Sequence, residues 1–134
     1  MKSFTAFLKE EKFLAKLQPF LDFAQGYLEL EQLPEITLID SKKVAQENKS
    51  FGGYHPATQS IKTNIAERHA ADIFRTLAHE LVHYRQDLDG RLDESSGDTG
   101  SDIENEANAV AGVIMREYAK HSGGAIFEQI ELDN

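Results

Sequence analysis

The stretch Ala70-Ala71-Asp72-Ile73-Phe74-Arg75-Thr76-Leu77-Ala78-His79-Glu80-Leu81-Val82-His83 decides how this chain is read. Ile73, Phe74, Leu77, Leu81 and Val82 recur at helical spacing with no Gly or Pro between them, which predicts an α-helix. On that helix His79 and His83 lie one turn apart on the same face, where two imidazoles can share a metal ion. Glu80, next to the first histidine, is then placed to act on water at that ion. The pattern is H-E-x-x-H, in a chain with only five histidines.

Two histidines are too few for a catalytic zinc, which takes three protein ligands and keeps a fourth position for water. The third is expected downstream. Ile103, Ala107, Val110, Ile114 and Tyr118 form one stripe of a second amphipathic helix, and Glu104 borders that stripe more closely than Glu106. Glu104 is therefore assigned as third ligand, with Glu106 as the fallback. Asn108, one turn after Glu104, is assigned to orient a ligating side chain. The bland alternative for Glu104 is a helix cap, since Ser101-x-x-Glu104 has capping-box form.

Composition sets the frame around this site. With 134 residues and a hydrophobic fraction of 40%, the chain has room for one globular domain with one core, residues 1–134. Zero cysteines exclude disulfides and thiolate ligands, so any metal is held by nitrogen and oxygen. A net charge of −9 with scattered basic residues argues against general nucleic-acid binding. The N-terminal residues carry charges throughout, so neither a secretion signal nor a membrane span is expected there.

Phe4, Phe7, Leu8, Leu14, Leu17, Phe20, Leu21, Ala24 and Leu28 make an apolar stripe that runs past Pro19, as a kinked helix or as two short ones. Glu35 to Asp40 alternates like a strand, and Phe51-Gly52-Gly53-Tyr54 and Ser60 to Ile65 read as two more, joined through residues 55–59. Gly90 suits the end of the metal helix, and the acidic stretch from Asp87 to Asp102 reads as a solvated loop that carries the chain back to Glu104. His55, His69 and His121 lack ligand spacing; His55 and His121, with Tyr54, Tyr84 and Tyr118, are the outside candidates for stabilising a charged transition state.

Taken together, His79-Glu80-Leu81-Val82-His83 and Glu104-Asn105-Glu106-Ala107-Asn108-Ala109-Val110-Ala111 resemble the zincins whose third ligand is a glutamate on a later helix. The second element is similar to that of ImmA/IrrE-type metallopeptidases and of membrane CAAX-processing peptidases. The wider run from Phe51 to Ala107 also resembles small metallopeptidase-like proteins of tailed bacteriophages. Thr76, Leu77, Leu81, Val82 and Tyr84 fit the longer peptidase pattern, whereas Arg85 stands where it asks for an apolar residue. The absence of cysteine disfavours a peptide-deformylase reading.

The resemblance implies a compact α+β zincin-like domain: N-terminal helix or helix pair, small sheet, H-E-x-x-H helix, C-terminal ligand helix. It implies one zinc ion on His79, His83 and Glu104, with Glu80 as general base for hydrolysis of a peptide or protein substrate. It also implies that Phe51, Gly52, Gly53 and Tyr54 form a cleft-edge strand that pairs with substrate; a hairpin whose glycines serve its twist is the alternative. The expected place is the cytoplasm of a bacterium or phage-infected cell, without a membrane partner; nothing in the sequence signals an oligomeric state. The rival expectation is a binding or structural protein that keeps the scaffold and uses zinc as a cross-link, marked by a fourth protein ligand.

Overall fold

The computed structural model describes residues 4–43, 52–93 and 101–122, with side chains described from residue 12 onward. Three long helices, α1 (Phe4–Tyr27), α2 (Ala70–Leu88) and α3 (Asp102–His121), accompany a sheet of β1 (Glu35–Ile39), β2 (Gly52–His55) and β3 (Ser60–Asn64). The class is α+β. β3 lies in the middle, parallel to β1 with Ile36 opposite Ile61, and antiparallel to β2 with Tyr54 opposite Ile61. β2 is consequently an edge strand.

α2 is the hub, packing on α1, α3, β2 and β3. Its apolar stripe predicts this: Ile73, Phe74, Leu77 and Leu81 are fully buried or nearly so. Each such side chain contributes roughly 1.5–3 kcal/mol of burial free energy. Phe74 stacks on Phe20 at 4.7 Å between ring centres and leans on Phe13 at 5.6 Å, while Phe20 meets Tyr118 edge-on at 5.2 Å. These four rings join the three helices.

α1 runs through Pro19 as one element. Its buried face is Phe13, Leu17, Phe20, Leu21 and Ala24. Leu14, read into the stripe from sequence, is 47% exposed. The helical reason is phase: Phe13 shares a face with Leu17, Phe20 and Ala24, and its neighbour is turned about 100° away.

One polar clamp closes the sheet and a second fixes α2 against it. The Asn64 side chain donates to Ser41 O at 2.8 Å and accepts from Ala66 N at 3.0 Å, tying β1 to the end of β3. Arg68, only 5% exposed, donates to Asn64 O (2.8 Å), to the Asp72 carboxylate (2.9 Å) and to Thr76 Oγ1 (2.6 Å). His69 caps the helix by accepting from Ala71 N. At the other end Asp89 closes α2 and Gly90 follows at φ +72°, the left-handed conformation that glycine adopts without strain. Among the described residues no helix is long and apolar enough to cross a membrane.

Candidate metal centre

α2 and α3 pack side by side and run antiparallel, so one-turn steps along each bring matching rungs together. His83 and His79 on α2 both face Glu104, at the start of α3. His79 Nε2 lies 2.9 Å from Glu104 Oε1, His83 Nε2 lies 3.1 Å from Glu104 Oε2, and the two Nε2 atoms are 3.1 Å apart. These three residues form the cluster that could hold a metal ion among the described residues.

The surrounding hydrogen bonds determine what these atoms offer. The Gln86 amide donates to Ile103 O at 3.1 Å and to Glu106 Oε1 at 2.9 Å, which fixes its Oε1 as an acceptor. His83 Nδ1, 2.8 Å from that oxygen, must then be the donor. A neutral His83 therefore presents a bare Nε2 lone pair to a carboxylate oxygen, and two acceptors face each other 3.1 Å apart. A shared cation resolves that conflict. Tetrahedral coordination with bonds of about 2.0–2.1 Å sets ligand atoms about 3.3 Å apart, close to the spacings seen. The donor set of two imidazoles and a carboxylate suits a divalent transition metal.

Helix capping and ligand placement coexist at Glu104: its backbone N–H donates to Ser101 Oγ at 3.1 Å, while its carboxylate meets the histidines. Glu106 points elsewhere. It takes Arg91 in a two-pronged pair at 2.7 and 3.0 Å and accepts from Gln86, contacts that hold its pKa below the usual carboxylate range. Asn108 hydrogen-bonds the His79 ring. Burial pushes the His79 pKa down, with His83 adding to the effect and Glu104 and Asn108 opposing it.

Glu80 sits beside the cluster, its Oε1 3.7 Å from His79 Nε2. It is 7% exposed, and burial raises its pKa to about 7; Glu104 adds to the rise, whereas His83 and a hydrogen bond from the Tyr54 backbone N–H oppose it. The edge strand thus holds the carboxylate of α2 directly.

The remaining predicted residues are placed as follows. Phe51 lies outside the described residues. Gly52 is where β2 crosses α2: a Cβ there would come within 3.0 Å of Thr76 Cγ2 and 3.1 Å of Lys62 O. Gly53 has open space, with nothing within 4 Å of a Cβ. The Tyr54 hydroxyl donates to Asp87 Oδ2 and its ring meets Tyr84 edge-on, so it is committed to bracing β2 on α2. His121 packs on Phe23 at 5.2 Å, and Tyr118 is buried in the aromatic core. Arg85 pairs with Asp89 at 2.7 Å and donates to Glu29 O at 3.2 Å. It is partly exposed and ties α2 to the end of α1, which accounts for a charge at that position.

Sequence reasoning missed Gln86 and Arg68. Gln86 lies three residues after His83, within one helical turn, and that spacing was a usable signal. Arg68 precedes the helix and gave none. Comparisons with protein-family models, curated proteins and solved structures find no match.

Proposed function

We propose that the chain is a zinc-dependent peptidase on a zincin-like α+β domain. The observation that carries this reading is the placement of Glu80. A buried carboxylate, held by the Tyr54 N–H, stands 3.7 Å from an imidazole of the three-residue donor cluster but belongs to no ligand pair of its own. His79, His83 and Glu104 would hold the ion, which when bound polarises a carbonyl and lowers the pKa of water toward neutrality. Glu80 takes the proton from the attacking water and hands it to the departing amine. Asn108 and Gln86 keep the two imidazoles turned toward Glu104, so the donor atoms stay converged through the cycle.

The structural-zinc alternative needs a fourth protein donor. The placements of the spare histidines count against it: His69 caps α2, His121 packs on Phe23, and His55 is exposed at the end of β2. The test compares new protein termini in a bacterial lysate exposed to wild type and to Glu80→Gln, both loaded with zinc. Termini that depend on Glu80 are expected; identical lysates, with full zinc in both proteins, would refute the catalytic reading.

A further inference from the structure

The ladder of facing residues does not stop at the metal cluster. On α2 the series His83, His79 continues one turn back to Arg75; on α3 the series Glu104, Asn108 continues to Gly112 and Arg116. Beyond Asn108 these rungs open into a cleft of about 770 Å³, lined by His69, Asp72, Arg75, Asn108, Gly112 and Arg116 among others. The Arg75 guanidinium reaches across to α3, with Nη1 3.9 Å from where a Cβ on Gly112 would stand. Asn108 belongs to both places, as the hydrogen-bond partner of His79 and as the inner wall of the cleft.

The charges in this cleft are unlike those of the rest of the molecule. In a chain of net charge −9, Arg75 and Arg116 are both exposed, and among the described residues neither has a hydrogen bond or an acidic partner. The acid at the cleft, Asp72, is taken by Arg68 at 2.9 Å. His69 accepts from Ala71 N through Nδ1, so the neutral ring carries its hydrogen on Nε2 and is a further donor. Two guanidinium groups, an imidazole N–H and an amide make a site for an anion, and paired arginines fit a carboxylate in particular. A phosphate polymer fits poorly, since two arginines would have to work against the repulsion of the whole surface.

We infer that this cleft is a carboxylate subsite of the substrate groove. Building on the peptidase reading, the substrates are peptides that carry a carboxylate, from an acidic side chain or a free C-terminus, a short distance from the cleaved bond. Geometry sets that distance. Arg75 is four residues from His79 and Arg116 eight from Asn108, so they lie roughly 6 and 12 Å along their helices from the metal end. An extended peptide advances about 3.3 Å per residue, which puts the carboxylate roughly two to four residues from the reacting carbonyl.

The test is binding to zinc-loaded Glu80→Gln, read from the arginine side-chain resonances of Arg75 and Arg116 and from titration isotherms. The probes are acetyl-(Gly-Glu)3-amide, acetyl-(Gly-Gln)3-amide, acetyl-(Gly-Gln)3 with a free C-terminal acid, and a ten-residue thymidine oligonucleotide. The Glu peptide is expected to move both arginine signals and to bind at least about tenfold tighter than the neutral amide. Adding Arg75→Gln and Arg116→Gln should erase that preference with zinc content and melting temperature retained, as both residues are exposed. If the free-acid peptide binds as tightly as the Glu peptide, the subsite accepts a C-terminal carboxylate as well as a side chain; if it matches the neutral amide, the carboxylate is a side chain. Equal binding of Glu and Gln amides, a preference that survives loss of both arginines, or tighter binding of the oligonucleotide would overturn the subsite. Arginine-dependent binding of the Glu peptide without any Glu80-dependent cleavage by wild type would remove the catalytic reading and leave the carboxylate site standing.

Discussion

Glu80 should make the metal-free protein less stable as the pH rises. Its pKa is about 7 in the folded chain, against an ordinary value of 4.5, chiefly because burial disfavours the charged form. Between those values the folded state holds a proton that the unfolded chain has released, so unfolding becomes easier as pH increases through that window. At about 1.4 kcal/mol per pH unit the full interval comes to roughly 3 kcal/mol by pH 8, of which under about 1 kcal/mol has developed at pH 5. Glu80→Gln removes the titration yet keeps an oxygen that can accept from the Tyr54 N–H. The measurement is urea unfolding of both proteins in the presence of chelator at pH 5 and pH 8. The stability of the variant relative to wild type should rise by roughly 2 to 3 kcal/mol between the two pH values, on the order of 10 °C in melting temperature for a domain of this size. The histidines and Glu104 are common to both proteins and largely cancel. A difference that stays constant across this range would show that Glu80 is not held in the buried, proton-retaining state that its surroundings imply.

Other substitutions probe the scaffold and the ligand assignment. Gly52→Ala drives a methyl against Thr76 and the β3 backbone and should cost about 1–3 kcal/mol, whereas Gly53→Ala, in open space, should change the melting point little; equal effects would refute the close-approach role of Gly52. Arg68→Ala leaves the Asn64 carbonyl and Thr76 without their buried donor and should cost about 2–3 kcal/mol in urea unfolding; a loss under about 0.5 kcal/mol would contradict the clamp. Glu104→Gln should lose stoichiometric zinc by metal analysis, while Glu106→Gln, acting only through Gln86 and His83, should weaken binding by no more than about tenfold; the reverse order would move the ligand to Glu106.

Periodicity carried much of the fold because the elements that position the site are those that bury a regular stripe. The Ile73 to Val82 stripe marked α2, the alternation at Glu35 and Ser60 marked two strands, and the spacing of His79, His83 and Glu104 singled out the residues that now lie within 3.1 Å of a neighbour. Phase was less legible in α1, where Phe13 and Leu14 are both apolar and only the position of Phe74 and Leu17 selects Phe13. The Gly52-Gly53 pair shows a different limit. The two residues are identical in sequence and both lie in β2, yet only Gly52 meets α2, a distinction that exists once helix and strand are packed. Tyr54 likewise revealed its aromatic ring but not its commitments, since both Asp87 and Glu80 come to it across the α2 and β2 contact.

The contact between α2 and α3 explains why so small a domain can keep its donor atoms converged. His83 is oriented by Gln86, Gln86 by Glu106 and Ile103 O, and Glu106 by Arg91, so a chain of directed hydrogen bonds runs from the loop after α2 to one ligand. His79 is oriented independently by Asn108. Both arms depend on α3, the element that supplies Glu104 itself, through Ile103 O and Glu106 for the first and Asn108 for the second. Any shift of α3 along α2 therefore moves the third donor and both orienting arms together, and by the ladder argument it also moves Arg116 and Gly112 against Arg75. A peptide carboxylate bound between the arginines would restrain the same helix pair that sets the metal cluster, so anion binding and metal affinity should be linked, each strengthening the other.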